Sequence, residues 1–224
     1  MGNNIIQLGM KQIEVWPRDQ KVESRGDPTI RITTFNDTQE YHPRLIAKIL
    51  ELEENQRLRK RYFRGACGTK IHHLEKWISS EAELITSRAK TLFRHVLGCE
   101  EAVVELSWAN VYRAGDYCLP HSHVRSTASV VYCLDTGDLD PEDELSGRFC
   151  FVDPRLQNCC QDQEGCMTTP LVPEMTAGTM IIFPSQLVHS VNPYNGMRPR
   201  ITLSWNINKN AMSGSPLPVE AEKE

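Results

Sequence analysis

Apolar residues change their spacing twice along this chain. Between residues 5 and 35, short alternating pieces are interrupted at Pro17, Gly26 and Pro28, a pattern of edge strands and loops. From Pro43 to about Lys60, residues Leu45, Ile46, Ile49, Leu50 and Leu52 recur at helical intervals among Glu, Lys and Arg. That spacing predicts an amphipathic helix with proline near its first turn. A polar stretch, Tyr62 to Lys70, follows. A second helix is predicted from about Ile71 to Leu97, carrying Leu74, Trp77, Ile78, Leu84, Ile85, Leu92, Phe93 and Val96. It is interrupted near Ser79-Ser80 and stopped by Gly98.

From Ala102 onward the period shortens. Val103 to Tyr112, Ser129 to Leu134, Gly147 to Val152, Thr179 to Phe183 and Arg200 to Ile207 are β-branched or aromatic runs punctuated by Gly, Pro and Asp. Helices followed by antiparallel strands argue for an α+β protein in which helices brace a β-sandwich or barrel. We expect one domain over residues 1–212, with helical support at about 43–97 and a β core at about 102–208. The Ser-, Pro-, Gly- and Glu-rich tail 213–224 is expected to be disordered.

Composition narrows the function classes. A formal charge of −4 gives no basic field for nucleic acid. No apolar run approaches the roughly 20 residues that cross a bilayer. The start, Met1-Gly2-Asn3-Asn4-Ile5-Ile6, lacks a basic segment leading into an apolar one, and Ile6 stands where a myristoylation signal wants Ser or Thr. A cytoplasmic location is the expectation. Of the 8 cysteines, Cys159, Cys160 and Cys166 cluster in a polar loop, but no CxxC pair supports structural zinc, so reduced thiols are expected.

The candidate chemistry lies in the strand-rich half. His121-Ser122-His123 follows a turn-rich stretch, and residues i and i+2 of a strand share a face. Both imidazoles can therefore meet one ion, with His189 closing the site from a distant strand. Imidazole suits iron, and open coordination positions are what oxygen activation requires. Arg200 and Thr202 are likewise two apart. A guanidinium grips a carboxylate bidentately and a hydroxyl on the same face adds a hydrogen bond, so this pair reads as an anion clamp. His42, His72, His73 and His95 sit in no such constellation and read as structural or solvated.

These residues carry a resemblance. Trp108-x-Asn110, Gly115-Asp116, His121-x-His123, Ser129 to Leu134, Gly147-x-Phe149, Phe151-x-Asp153-Pro154-Arg155, Gly178-x-x-Ile181-x-Phe183-Pro184-Ser185, His189-x-Val191-x-Pro193-Tyr194 and Arg200-Ile201-x-Leu203-Ser204-x-Asn206 stand in an order similar to the iron(II)/2-oxoglutarate-dependent oxygenases. A bacterial branch with a histidine-x-histidine first motif is the part of that superfamily it resembles. The resemblance implies a double-stranded β-helix (jelly-roll) core, with Fe(II) at its mouth and 2-oxoglutarate and O2 as cosubstrates. It implies His121 and His189 as ligands, with His123 where most members carry Asp or Glu. It also implies Arg200 on the distal carboxylate of 2-oxoglutarate, with Thr202 in support. Asn110, Tyr112 and Tyr132 are strand residues expected to face the same barrel. His123 leaves the centre one negative charge short of the usual ligand set and fills the room a halide would need. Asp116 ligating instead, or metal binding without turnover, stays open.

The reaction so implied is hydroxylation of an unactivated C–H bond in a small amino-acid-like or peptidyl substrate, with succinate and CO2 released. Arg125, just past the histidine pair, is the candidate for a substrate carboxylate, with Arg155 and Arg198 behind it. The loop Asp135 to Gly147, with its 6 acidic residues, either covers the mouth and favours cationic groups or is a solvated turn. The rival readings are a cupin-type three-histidine dioxygenase without 2-oxoglutarate, a non-catalytic metal- or ligand-binding jelly roll, and a purely structural β-sandwich.

Overall fold

The computed structural model describes residues 4–57, 68–77, 79–138, 140, 142–156 and 170–210. A hairpin, β1 (Ile5–Leu8) with β2 (Lys11–Glu14), opens the chain, followed by β3 (Glu23–Arg25) and β4 (Asp27–Thr34). Helix α1 (His42–Arg57) begins with proline at its second residue, where the missing amide proton costs nothing. Strand β5 (Thr69–His72) and helix α2 (Ser80–Leu97) come next. The second half is all strand: β6 (Val103–Tyr112), β7 (Cys118–His121), β8 (Ala128–Asp135), β9 (Phe149–Phe151), β10 (Thr179–Pro184), β11 (His189–Val191) and β12 (Arg200–Asn208).

The predicted strands of this half are present, and α1 matches its prediction through Arg57. The second helix is shorter than expected. Residues Thr69–His72 form β5 instead, pairing antiparallel with β6 at the sheet edge, and Leu74–Lys76 form one 3-10 turn. His73, at φ 65°, adopts the left-handed conformation that breaks any helix there. Ser79 then caps α2, its hydroxyl accepting from the Ala82 amide, and Gly98 ends it at φ 59°. The expected tail and the Cys159, Cys160 and Cys166 cluster lie outside the described residues. Cys118, Cys133 and Cys150 are buried, as small apolar side chains tend to be.

Two sheets face each other. The larger runs β3-β4-β10-β8-β12-β6-β5 and the smaller β7-β11-β9. Strand alternation gives the larger sheet two different faces. Val111, Val130, Tyr132, Met180, Ile182, Leu203 and Trp205 point outward and pack under Leu45 and Ile49 of α1 and Leu84, Ile85 and Phe93 of α2. Val131, Cys133, Ile181 and Phe183 point inward and meet Phe149, Phe151 and Val191 of the smaller sheet. The helices therefore brace one face, and the space between the sheets is left for chemistry.

Candidate metal centre

On β12 the alternation carries a change of character. Ile201, Leu203, Trp205 and Ile207 belong to the helix-side core, while Arg200, Thr202, Ser204 and Asn206, all buried, face the space between the sheets. Register sets β6 beside them, with Thr202 opposite Asn110 and Arg200 opposite Tyr112. Four consecutive inward polar residues on a fully buried strand are costly unless each finds a partner or a ligand. Some do. The Trp108 indole donates to Asn110 Oδ1 (3.1 Å), whose Nδ2 donates to Thr202 Oγ1 (3.3 Å) and Ser204 Oγ (3.4 Å). Asn206 Oδ1 accepts from Ser129 Oγ at 2.9 Å.

Arg200 is the exception. Only 6% exposed, with its guanidinium carbon 5.1 Å from the Tyr112 ring centre, it leaves Nη1 buried without a hydrogen-bond partner. A planar cation with an unused donor, aimed into a polar pocket, fits a carboxylate.

The histidines close the other side of the same pocket. β7 and β11 are neighbours in the smaller sheet, with His121 directly opposite His189. His123 lies two residues beyond the end of β7, so it arrives from a loop rather than from the shared strand face the spacing predicts. Its amide donates to the Ser185 carbonyl at 2.7 Å, which folds the loop back over the site. One ligand atom from each of the three imidazoles lies within 4.8 Å of the others, so that a single metal ion can be held. His121 Nδ1 donates to the Leu119 carbonyl (2.8 Å) and His189 Nδ1 to that of Leu187 (2.9 Å), leaving Nε2 of each free to coordinate.

Burial, the His121 ring and the charge of Lys70 together hold His189 down at about 3, with the Leu187 bond opposing them. Burial, then His121 and Lys70, hold His123 at about 4. Both are thus neutral at physiological pH, the form that binds a metal.

Among the other residues singled out from sequence, Asn110, Tyr112, Arg200 and Thr202 line the pocket. Tyr132 does not. One position out of phase with Val131 and Cys133, it faces the helices, where its hydroxyl meets His42 Nε2 (2.7 Å) and Tyr41 (3.1 Å). Arg155 lies outside the pocket lining: Nε and Nη2 grip the buried carboxylate of Asp153, and Nη2 also donates to the Gln186 carbonyl. Arg198 is held by Asp138 and Asp135, two acids of the loop 135–147. Arg125 is exposed and outside the pocket lining. The Asp116 carboxylate accepts from the Arg113 amide (2.8 Å) and caps a turn; it is not part of the ligand cluster. Sequence reasoning missed Lys70, Phe149 and Phe183 in the pocket, and gave Lys70 to a polar connector.

Residues 106–206 match the family model described as "Putative 2OG-Fe(II) oxygenase". No curated protein matches the chain. Among solved structures, AviO1 from Streptomyces viridochromogenes Tue57 superposes with a TM-score of 0.59 at 13% identity, covering 85% of this chain and 94% of that one. A prolyl-4-hydroxylase from Pseudomonas putida gives 0.55 at 16% identity over 80% and 88%. The non-heme alpha-ketoglutarate-dependent carbocyclase SnoK from nogalamycin biosynthesis gives 0.59 at 12% over 84% and 87%. The fold is the double-stranded β-helix, α+β and dominated by its sheets. Over residues 106–206, a little under half of its length, the chain is similar to the 2OG-Fe(II) oxygenases, a family that uses Fe(II), 2-oxoglutarate and O2.

Proposed function

We propose that this protein is an Fe(II)/2-oxoglutarate-dependent dioxygenase that hydroxylates an unactivated C–H bond of a small amino-acid-like or peptidyl substrate. The reaction takes up O2 and one 2-oxoglutarate and releases succinate, CO2 and the alcohol. When bound, Fe(II) and the ketoacid supply the oxidising power by coupling decarboxylation to oxidation of the C–H bond. His121, His123 and His189 hold the metal, with the Nδ1 atoms of His121 and His189 bonded to the Leu119 and Leu187 carbonyls. Arg200 anchors the distal carboxylate of 2-oxoglutarate, with Thr202 beside it, and Asn110 and Tyr112 shape the pocket wall. The phenyl rings of Phe149, Phe151 and Phe183 exclude water from the side occupied by His189.

The observation that carries this reading is the unpartnered, buried Nη1 of Arg200 in a pocket shared with three convergent histidines. A three-histidine centre without a carboxylate also suits a cupin-type dioxygenase that binds its substrate directly. Such an enzyme has no use for a buried arginine awaiting an anion. Anaerobic visible spectroscopy with Fe(II), with and without 2-oxoglutarate, separates the two. A weak metal-to-ketoacid charge-transfer band should appear only with 2-oxoglutarate, fade in Arg200→Ala and vanish in His123→Ala. Iron binding without such a band, or turnover without succinate, would transfer the assignment to the cupin-type reading.

A further inference from the structure

Lys70 is the one pocket residue whose charge the proposed chemistry leaves unused. It sits on β5, the edge strand of the larger sheet, opposite Asn110 of β6. Its neighbours on that strand show which way it points: Ile71 is in the helix-side core and Thr69 bonds to Glu53 of α1, so Lys70 takes the alternate face, toward the pocket. Nζ lies 5.3 Å from the centre of the Trp108 ring, and that ring is 5.8 Å from His123. The aliphatic stem and the indole thus hold an ammonium at the rim of the metal site. No carboxylate pairs with it among the described residues.

The charge balance of the site gives this cation a meaning. Three neutral imidazoles contribute nothing against the metal's positive charge, where a carboxylate ligand would contribute. A 2-oxoglutarate dianion offsets the metal and Arg200 only in part. Lys70 then adds further positive charge in a partly desolvated cleft, where like charges are poorly screened. We infer that Lys70 binds an anionic group of the substrate, a carboxylate or a phosphate, and so sets the substrate class. It takes over the role expected of Arg125. This rests on the dioxygenase reading for its cosubstrate but not for its anion site.

The test is calorimetric titration of anaerobic protein loaded with Fe(II), in the presence and absence of 2-oxoglutarate. The probes are a panel of N-acetylated amino acids, each as free acid and as carboxamide, together with phenyl phosphate. Acids or the phosphate should bind about tenfold or more tightly than neutral counterparts. Lys70→Met, which keeps the stem on Trp108, should abolish that preference and Lys70→Arg should restore it. The acid arm and the phosphate arm distinguish the two sources of charge. The inference is overturned if no anion outcompetes its neutral partner, if the preference survives Lys70→Met, or if Lys70→Met weakens 2-oxoglutarate instead. Failure of 2-oxoglutarate to bind the wild type rejects the dioxygenase reading, while the titration without it still decides Lys70.

Discussion

A guanidinium at 6% exposure with one nitrogen unpaired is expensive to hold until a ligand meets it. That gives Arg200 two separable effects. Replacing it with methionine removes a buried charge while filling similar volume, so the apoprotein should melt no lower than wild type. The rise in melting temperature that saturating 2-oxoglutarate gives the metal-loaded wild type should disappear, since only a ligand that binds the folded state shifts it. Differential scanning fluorimetry on both proteins, with and without the ketoacid, reads the two effects at once. A destabilised apoprotein that still responds to 2-oxoglutarate would mean that Arg200 is a packing residue. Its place in the pocket beside Thr202 was legible in the sequence because the i, i+2 spacing survives folding on a regular strand. Tyr132 was misplaced for the same reason: on β8 a single-residue offset exchanges the pocket for the helix side, and a run of apolar residues does not show which phase faces in.

At the scale of elements, β11 is only three residues long, so the orientation of His189 depends on what precedes it. The Asp153 carboxylate, 1% exposed, accepts from the Val188 amide at 2.8 Å and is clamped by Arg155, whose guanidinium holds its pKa far below the usual range. Asp153→Asn removes the charge that secures this crossing between β9 and β11. The expected result is roughly tenfold weaker metal binding with the fold retained, in line with losses seen when groups supporting a ligand are removed. Competition with a chelator measures the affinity and circular dichroism the fold; unchanged affinity would show that β11 is fixed by its ladder alone. The clamp was not visible beforehand: the sequence shows Asp153-Pro154-Arg155 only as part of the resembling motif, with Arg155 a substrate candidate, and the Val188 amide lies more than thirty residues on. β5 was hidden differently. Ile71, Leu74 and Trp77 fall at helical spacing, yet β6 offers an open edge and His73 turns left-handed, so tertiary pairing overrides the periodicity.

For the whole molecule, the histidines that are buried neutral govern acid stability. His42 is pushed down to about 4, first by burial and then by Arg88, with Asp135 and Asp37 opposing; His123 lies at about 4 and His189 at about 3. In the unfolded chain each takes up a proton near pH 6.5. Between that pH and the folded values the unfolded state binds more protons, so stability rises with pH there and is lost as pH falls. Above about pH 7 both states are neutral and these groups contribute no slope. The metal-free protein should therefore show a urea midpoint that is flat from pH 7 to 8 and falls steadily from pH 6.5 toward 4. His42 is the separable member, because it lies on the helix side, bonded to Tyr132, away from the metal cluster. His42→Gln should lower the midpoint at pH 7 by removing that bond but make its decline below pH 6.5 shallower, by up to one proton's worth. Fe(II) should raise the midpoint without flattening the decline, since it binds only the neutral cluster and keeps the folded state proton-free while the unfolded chain still takes up protons. A His42→Gln curve parallel to wild type would show that the buried tyrosine–histidine pair does not titrate with unfolding, and would leave the metal cluster alone responsible for the acid limb.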